Sequence, residues 1–299
     1  MTLNHMKIAI YGREFQPAVI PYVQQLFDFL AERNAELHIF DKFYHFLDGK
    51  GLCQSGFHTY SKHEQLTEDF DFMLSLGGDG TMLAAVSIVG NSGIPVAGIN
   101  FGRLGFLASI NKDDIERCLT EIMTGQYQIE KRVLLSVTSP DSPLFGAKHF
   151  ALNDITVFKY DSSAMITVEA YLDGQFLNSY WSDGLIVATP TGSTAYSLSC
   201  GGPIITPGSN NFVVTPMSPH NLNVRPVVIS GDSVLELKID SRSERYLLTC
   251  DSRTKTLDTS IRLEIRRADF EINLIRLQGD EYFETLRNKL LWGLDARAY

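Results

Sequence analysis

Phe72-Met73-Leu74-Ser75-Leu76-Gly77-Gly78-Asp79-Gly80-Thr81 is the stretch on which the fold reading turns. Its first half is a short apolar run ended by glycine, the pattern of a strand buried on both faces. Its second half breaks abruptly into glycines, and Met82–Val89 beyond it has helical character. Glycines at the carboxyl end of a parallel strand let the backbone turn sharply and approach a ligand closely. The helix start that follows offers unpaired N–H groups and a positive dipole end, which suits phosphate. A carboxylate in that turn would repel phosphate, so Asp79 is read as a group that takes a proton or meets a metal. An ordinary glycine turn is the bland alternative, and it leaves the carboxylate unexplained.

Outward from this turn the first third alternates strand and helix. Lys7–Tyr11 and Glu36–Phe40 read as strands, Ala18–Arg33 as a helix, and the polar 45–69 segment as a long loop. Ile94–Asn100 is a further strand, and Asp113–Met123 a helix closed by Gly125. Such alternation implies a Rossmann-like parallel sheet with helices on its faces. The turn is not a P-loop, because Gly-x-x-x-x-Gly-Lys-Ser/Thr is absent. Nor is it a dinucleotide fingerprint: the first strand ends Tyr11-Gly12-Arg13-Glu14, and Asp41 is then simply a strand-end residue.

Near Tyr127 the pattern changes to period-2 runs separated by tight turns. Met165–Leu172, Asp173-Gly174 and Gln175–Trp181 form a hairpin signature, and Val227–Ile229, Val234–Ile239, Tyr246–Cys250, Ile261–Ile265 and Phe270–Ile275 continue it. The expectation is an α/β domain over 1–125 and an all-β, sandwich-type domain over 126–279, with an amphipathic helix in 280–299 packing back on the first.

The chain has 299 residues, 44% hydrophobic and 20% charged, enough for two domains with separate cores. A net charge of −9 with no basic stripe argues against a nucleic-acid backbone as partner. The four cysteines (Cys53, Cys118, Cys200, Cys250) are far apart, which fits reduced thiols rather than a disulfide framework. No signal-peptide layout and no long apolar run is present, so the expectation is a soluble, cytoplasmic protein without a membrane partner.

Two further elements stand out. Thr189-Pro190-Thr191-Gly192-Ser193-Thr194-Ala195-Tyr196-Ser197-Leu198-Ser199-Cys200-Gly201-Gly202-Pro203, preceded by Ser182-Asp183-Gly184, concentrates small and hydroxyl-bearing residues. These offer donors and acceptors at close backbone approach, as a sugar or amide ligand needs. Ser193 or Thr194 could also cap a following helix. Asn153-Asp154 heads a strand and alone reads as an Asx turn. Cys53, His58 and His63 match no metal-site spacing, Ser193 lacks a hydrolase elbow, and Arg266-Arg267 reads as a solvated strand edge.

Together these motifs resemble the NAD kinase family. Gly77–Thr81 is similar to the GGDG motif shared by NAD kinases, diacylglycerol-type lipid kinases and phosphofructokinases. Asn153-Asp154, the 189–203 run and Asn100-Phe101-Gly102-Arg103-Leu104-Gly105-Phe106-Leu107 resemble NAD kinase segments in the same order. The resemblance implies phosphoryl transfer from ATP to the adenosine 2′-hydroxyl of NAD, giving NADP, in a cleft between an α/β and a β domain. It implies Asp79 as proton acceptor, with Asp79 and Gly80 against NAD. Asn153, Asp154, Asp183, Thr191, Thr194, Ala195, Tyr196, Ser197, Leu198 and Ser199 would hold the dinucleotide. Ala164, Trp181 and Arg253 fall at ligand-contacting positions, Trp181 standing where many bacterial relatives have a polar residue, and Cys200 replaces the usual alanine. A divalent cation, Mg²⁺, would be held by phosphates and water rather than by a carboxylate cage, and the assembly would be a homodimer or homotetramer. A lipid kinase of the GGDGT type is disfavoured by the hydroxyl-rich run, and a non-catalytic NAD sensor by the intact Asp79.

Overall fold

A computed structural model describes residues 5–102, 105–140, 142, 144–161 and 164–293. The chain divides into two compact units, Met1–Glu130 with Asn273–Tyr299, and Lys131–Ile272.

In the first unit the elements run β1 (Lys7–Gly12), α1 (Ile20–Ala31), β2 (Glu36–Phe40), α2 (Asp41–Asp48), β3 (His58–Tyr60), β4 (Phe72–Leu76), α3 (Asp79–Val89), β5 (Val96–Asn100), β6 (Ile110–Asn111) and α4 (Ile115–Met123). The strands pair in the order β3-β2-β1-β4-β5, all parallel, and β6 adds beside β5. Every residue of β4 and β5 is buried, as expected of strands covered on both faces. One face packs Ile8, Ile10, Leu37, Ile39, Leu74 and Ile99 against α1, α2 and α4 through Leu26, Phe27, Phe43, Leu47, Ile115 and Leu119. Alternate strand residues face the other way, where Gly98 meets the Met82 sulfur of α3. Helices therefore cover both faces.

The structure differs from three local expectations. The 45–69 segment is not one loop, since α2 extends through Asp48 and His58–Tyr60 adds a parallel edge strand. Phe43 and Leu47, one turn apart, bury the only apolar stripe of α2, too short a pattern to separate from its polar surroundings. Asp41 is the first residue of that helix, where a carboxylate meets the positive dipole end. The helix after the glycine turn starts at Asp79, with Gly78 as N-cap, so Asp79-Gly80-Thr81 is its first turn.

The second unit is a β sandwich. Its strands are β7 (Tyr127–Thr138, entering from the first unit), β8 (Phe150–Ala151), β9 (Asp154–Lys159), β10 (Ile166–Leu172), β11 (Gln175–Ser182), β12 (Gly184–Ala188), β13 (Asn211–Met217), β14 (Val227–Ser230), β15 (Leu235–Asp240), β16 (Arg245–Cys250), β17 (Arg253–Asp258) and β18 (Leu263–Leu277). One sheet, ordered β14-β13-β12-β9-β16-β17, is wholly antiparallel. The other runs β11-β10-β15-β18, also antiparallel. Their inner faces share a core in which Ile155, Val157, Leu185 and Val187 meet Val168, Ala170, Leu237 and Ile265. Asp173 and Gly174 both have positive φ (51° and 78°), the type I′ turn expected of a two-residue hairpin.

The strand read as two pieces around Arg266-Arg267 is one, Leu263–Leu277. Arg267 pairs with Glu271 at 2.7 Å and Ala268 is buried, so the polar pair does not interrupt it. The strand's last residues lie in the first unit, where Leu274 pairs parallel with Val96. The helix α6 (Tyr282–Leu290) follows there, burying Leu286. Among the described residues, no helix is long and apolar enough to cross a membrane.

Candidate active site

Gly77 closes β4 with φ at 149°, a conformation reserved for glycine, and a Cβ there would strike the Thr81 side chain. Gly78 and Gly80 differ. A side chain at either would meet nothing within 4 Å, so their glycines leave open space beside the helix start. The first intrahelical bonds run from Thr81 and Met82 back to the Gly78 carbonyl, at 2.9 and 3.1 Å. The N–H groups before them have no partner in the helix and suit an anion.

Asp79 sits half-buried in this first turn, and its carboxylate is tied down. Phe106 N–H donates to Oδ2 at 2.8 Å, while Leu107 and Ala108 N–H donate to Oδ1 at 3.0 and 3.1 Å. A carboxylate offers about four lone-pair directions, so three bonds leave one, on Oδ2. Two glycines make the grip possible. A Cβ on Gly105 would run into the Asp79 carboxylate, and one on Gly98 would strike the Ala108 backbone at 2.7 Å. The Phe106 carbonyl also accepts from Arg276, whose Nε holds Glu130 at 2.6 Å. Of the Asn100–Leu107 segment, Arg103 and Leu104 lie outside the described residues.

The second unit repeats the device. Asp251, with φ at 51°, occupies the turn between β16 and β17 and is almost wholly buried. Leu152 N–H donates to its Oδ2 at 2.9 Å, and Asn153 and Asp154 N–H to its Oδ1 at 2.8 and 3.2 Å. Nothing in the sequence marks Asp251, because its partners lie about a hundred positions away. This grip fixes Asn153 and Asp154 at the head of β9, beside the end of β12, where Ala188 pairs with Asp154. Gly192 completes the junction, since a Cβ there would collide with the Asn153 backbone. Asp154 is buried, and desolvation, reinforced by the nearby Asp251 charge, raises its pKa from 3.8 to about 6 despite a bond from Thr156.

The hydroxyl-rich run divides by direction. Thr189, Ser193 and Ser197 are fully buried: Thr189 donates to the Leu152 carbonyl, Ser193 bridges Pro190 and Ile205, and Ser197 bonds Thr215. Thr191, also buried, accepts from Arg132 at 3.0 Å. These hydroxyls build the loop rather than its surface, and neither Ser193 nor Thr194 caps the short helix α5 (Tyr196–Ser199). Thr194, Ala195, Tyr196, Leu198 and Ser199 remain accessible. Burial first, then Cys200, Asp183 and Asp154, push the Tyr196 phenol pKa up, so this ring lies within electrostatic reach of both carboxylates.

Asp183 lies at the opposite end of β12 from Thr189, and its Oδ1 is 2.5 Å from Lys159 Nζ, a partner the sequence does not reveal. Trp181 is half-exposed and packs on His220 with ring centroids 4.2 Å apart. Arg253 donates to the Cys250, Lys148 and Phe150 carbonyls, bracing the Asp251 turn. Ala164 is half-buried before β10. The structure thus gathers Asn153, Asp154, Thr191 and Arg253 around the Asp251 turn, with Asp183 and Trp181 at the far end of their strands. His63 is bonded to Ile88 O and Asn91, and Cys53 to Tyr44 O, so these two are not drawn to His58.

Comparison with known proteins adds independent findings. Residues 8–127 match the family model of the ATP-NAD kinase N-terminal domain, and residues 152–277 that of the C-terminal domain. The chain is 46% identical over 294 residues to a Flavobacterium psychrophilum NAD kinase, covering 98% of this chain and 100% of the relative. It is 45% identical over 293 residues to one from Cytophaga hutchinsonii, with the same coverage. Among solved structures, an Archaeoglobus fulgidus NAD kinase in complex with ATP superposes with a TM-score of 0.75 at 25% identity, covering 96% of this chain and 99% of that one. Yeast NADH kinase complexed with NADH gives 0.86 at 22% identity, covering 98% and 89%, a likeness of fold.

The Asp154 environment makes a pH prediction. A carboxyl whose folded pKa is raised holds its proton better in the folded state, so its contribution to stability is lost as pH climbs from about 4 to about 6. Asp154→Asn cannot ionise, and in urea unfolding it should gain ~1–2 kcal/mol on the parent between about pH 4.5 and 7.5. A constant difference across that range would place Asp154 at its ordinary value.

Proposed function

The chain belongs to the ATP-NAD kinase family, and we infer from that membership and from the tethered Asp79 that it is an NAD kinase, phosphorylating the adenosine 2′-hydroxyl of NAD with ATP to give NADP. The observation that carries the mechanism is a carboxylate in the first turn of α3, fixed by three N–H groups with one lone pair left over. Phosphoryl transfer depends on positioning and charge stabilisation more than on covalent chemistry. Asp79 accepts the proton of the 2′-hydroxyl on Oδ2 as the oxygen attacks the terminal phosphorus and the bond from that phosphorus to ADP breaks, ADP leaving, and the carboxylate reaches that state without reorganising. The open positions at Gly78 and Gly80 admit the triphosphate to the helix N-terminus.

Mg²⁺, when bound with the triphosphate, would neutralise charge on its oxygens. Among the described residues, the cluster of three or more potential ligand side chains is Glu36, His38 and His58, not a set around Asp79. With most of the Asp79 lone pairs engaged, phosphate oxygens and water are the natural ligands for Mg²⁺. In the second unit, Asn153, Asp154, Asp183 and the accessible part of 194–199 hold NAD, while Thr191, Ser197 and Arg253 act by shaping the loops. The expected setting is the cytoplasm and the expected assembly a homodimer or homotetramer, both on family likeness.

The test is incubation with ATP, Mg²⁺ and NAD, with NADP read out through an NADP-specific dehydrogenase. The parent should form NADP, and Asp79→Asn, whose amide nitrogen cannot accept from the loop N–H groups, should fold with a lowered melting temperature, retain most NAD affinity and lose roughly 10²–10⁴ in kcat. Absence of NADP with the parent, or near-normal turnover in the variant, would reject the reading or the role.

A second prediction concerns Asp183. Contacts to parts of NAD remote from the 2′-hydroxyl are made about equally in ground and transition states, so their loss appears in KM. Asp183→Ala should raise KM for NAD roughly 10- to 100-fold, with little change in kcat or in KM for ATP. A defect confined to the ATP side would show that Asp183 does not bind NAD.

A further inference from the structure

Away from the glycine turn, three metal-capable side chains converge on the edge of the parallel sheet. Glu36 and His38 are two apart on β2 and so share a face, and His38 is in direct register with His58 on β3. The ligand atoms of all three lie within 4.8 Å of one another. His38 Nε2 is 2.5 Å from Glu36 Oε1, and the two imidazoles stack with centroids 4.8 Å apart at 23°. A fourth donor is at hand, since His5 Nδ1 lies 3.9 Å from Glu36 Oε2. Lys7, opposite Glu36 in register, is drawn away to Asp69 at 2.5 Å.

We propose that Glu36, His38 and His58, with His5 as fourth ligand, form a binding site for a divalent cation of the zinc class. Three imidazoles and one carboxylate are a nitrogen-rich set that suits zinc and its neighbours and not Mg²⁺ or Ca²⁺. Tetrahedral zinc, with bonds of ~2.0–2.1 Å, needs ligand atoms about 3.3 Å apart. His58 and His5 are exposed and free to swing towards that distance, while the His38–Glu36 pair, only 18% and 32% exposed and now 2.5 Å apart, would open to admit the ion. The site would clip the three-residue strand β3, reached through the 49–57 connection, to the body of the sheet. Glu36 and His58 begin their parallel strands, whereas Gly77 follows the end of one, so the cluster and the glycine turn lie at opposite ends of the strands of this sheet. The role is structural and separate from phosphoryl transfer.

The test is titration calorimetry with ZnCl₂ on tag-free, chelator-treated full-length protein, paired with thermal unfolding. The parent should bind about one Zn²⁺ per chain at micromolar concentration and melt at higher temperature with it, as any ligand of the folded state requires. His58→Ala, a change at an exposed position, should weaken binding at least tenfold and abolish the thermal gain, while NADP formation with Mg²⁺ stays at the parental rate. Glu36→Gln should weaken binding likewise, and Mg²⁺ in place of Zn²⁺ should give no thermal gain in the parent. Absence of saturable zinc binding, or binding that both variants retain at full strength, would overturn the proposal.

Discussion

Both units depend on one interaction, an aspartate whose two carboxylate oxygens collect three successive backbone N–H groups from a distant loop. In the first unit Asp79 holds residues 106–108, and in the second Asp251 holds residues 152–154. The pattern is the same in each: one bond to Oδ2 and two to Oδ1. Hydrogen bonds to a charged acceptor contribute about 1.5–3 kcal/mol apiece, and leaving the donors unpaired would cost a comparable amount. Each aspartate therefore decides where a loop runs.

The two aspartates differ in what remains available afterwards. Asp79 is half-buried and keeps a free direction on Oδ2, so the group that organises the loop is also placed for chemistry. Asp251 is buried, and burial raises its pKa in spite of the donors around it. Its effect is exerted through Asn153 and Asp154, which it fixes beside the 189–192 turn. The buried hydroxyls of that turn act in the same sense: they stitch the loop to neighbouring carbonyls and leave the 194–199 surface to face a ligand. A site built this way is preorganised, and little reorganisation is left for the moment of reaction.

The strand–glycine–helix turn, the parallel half, the β half and the 173–174 hairpin were legible because each rests on local pattern. What escaped the sequence is long-range. The N–H donors to Asp79 come from 27 to 29 positions away and carry no side-chain signal. Asp251 and Lys159 are ordinary residues until strand register brings them to their partners. Buried strands such as Gly184–Ala188 and Asn211–Met217 lack alternation, and the short helix Asp41–Asp48 shows too little of its apolar stripe to declare itself. The Glu36–His38 spacing is visible in the chain, yet only the register of β2 with β3 adds His58. Even the hydroxyl-rich run divided in a way composition could not express, since burial separates its building residues from its exposed ones.

At Gly105 the grip on Asp79 can be disturbed without changing the carboxylate itself. The Gly105 φ is not in the left-handed region, so alanine fits the backbone, but the added methyl would collide with the Asp79 carboxylate. The measurement is kcat for NADP formation by Gly105→Ala, with melting temperature and NAD affinity recorded alongside. A loss of at least about 10²-fold in kcat, the scale of a misplaced catalytic group, is expected, with a lowered melting temperature as the loop N–H groups lose their acceptor and with NAD affinity near the parental value. Parental turnover in that variant would contradict a positioning role for this grip.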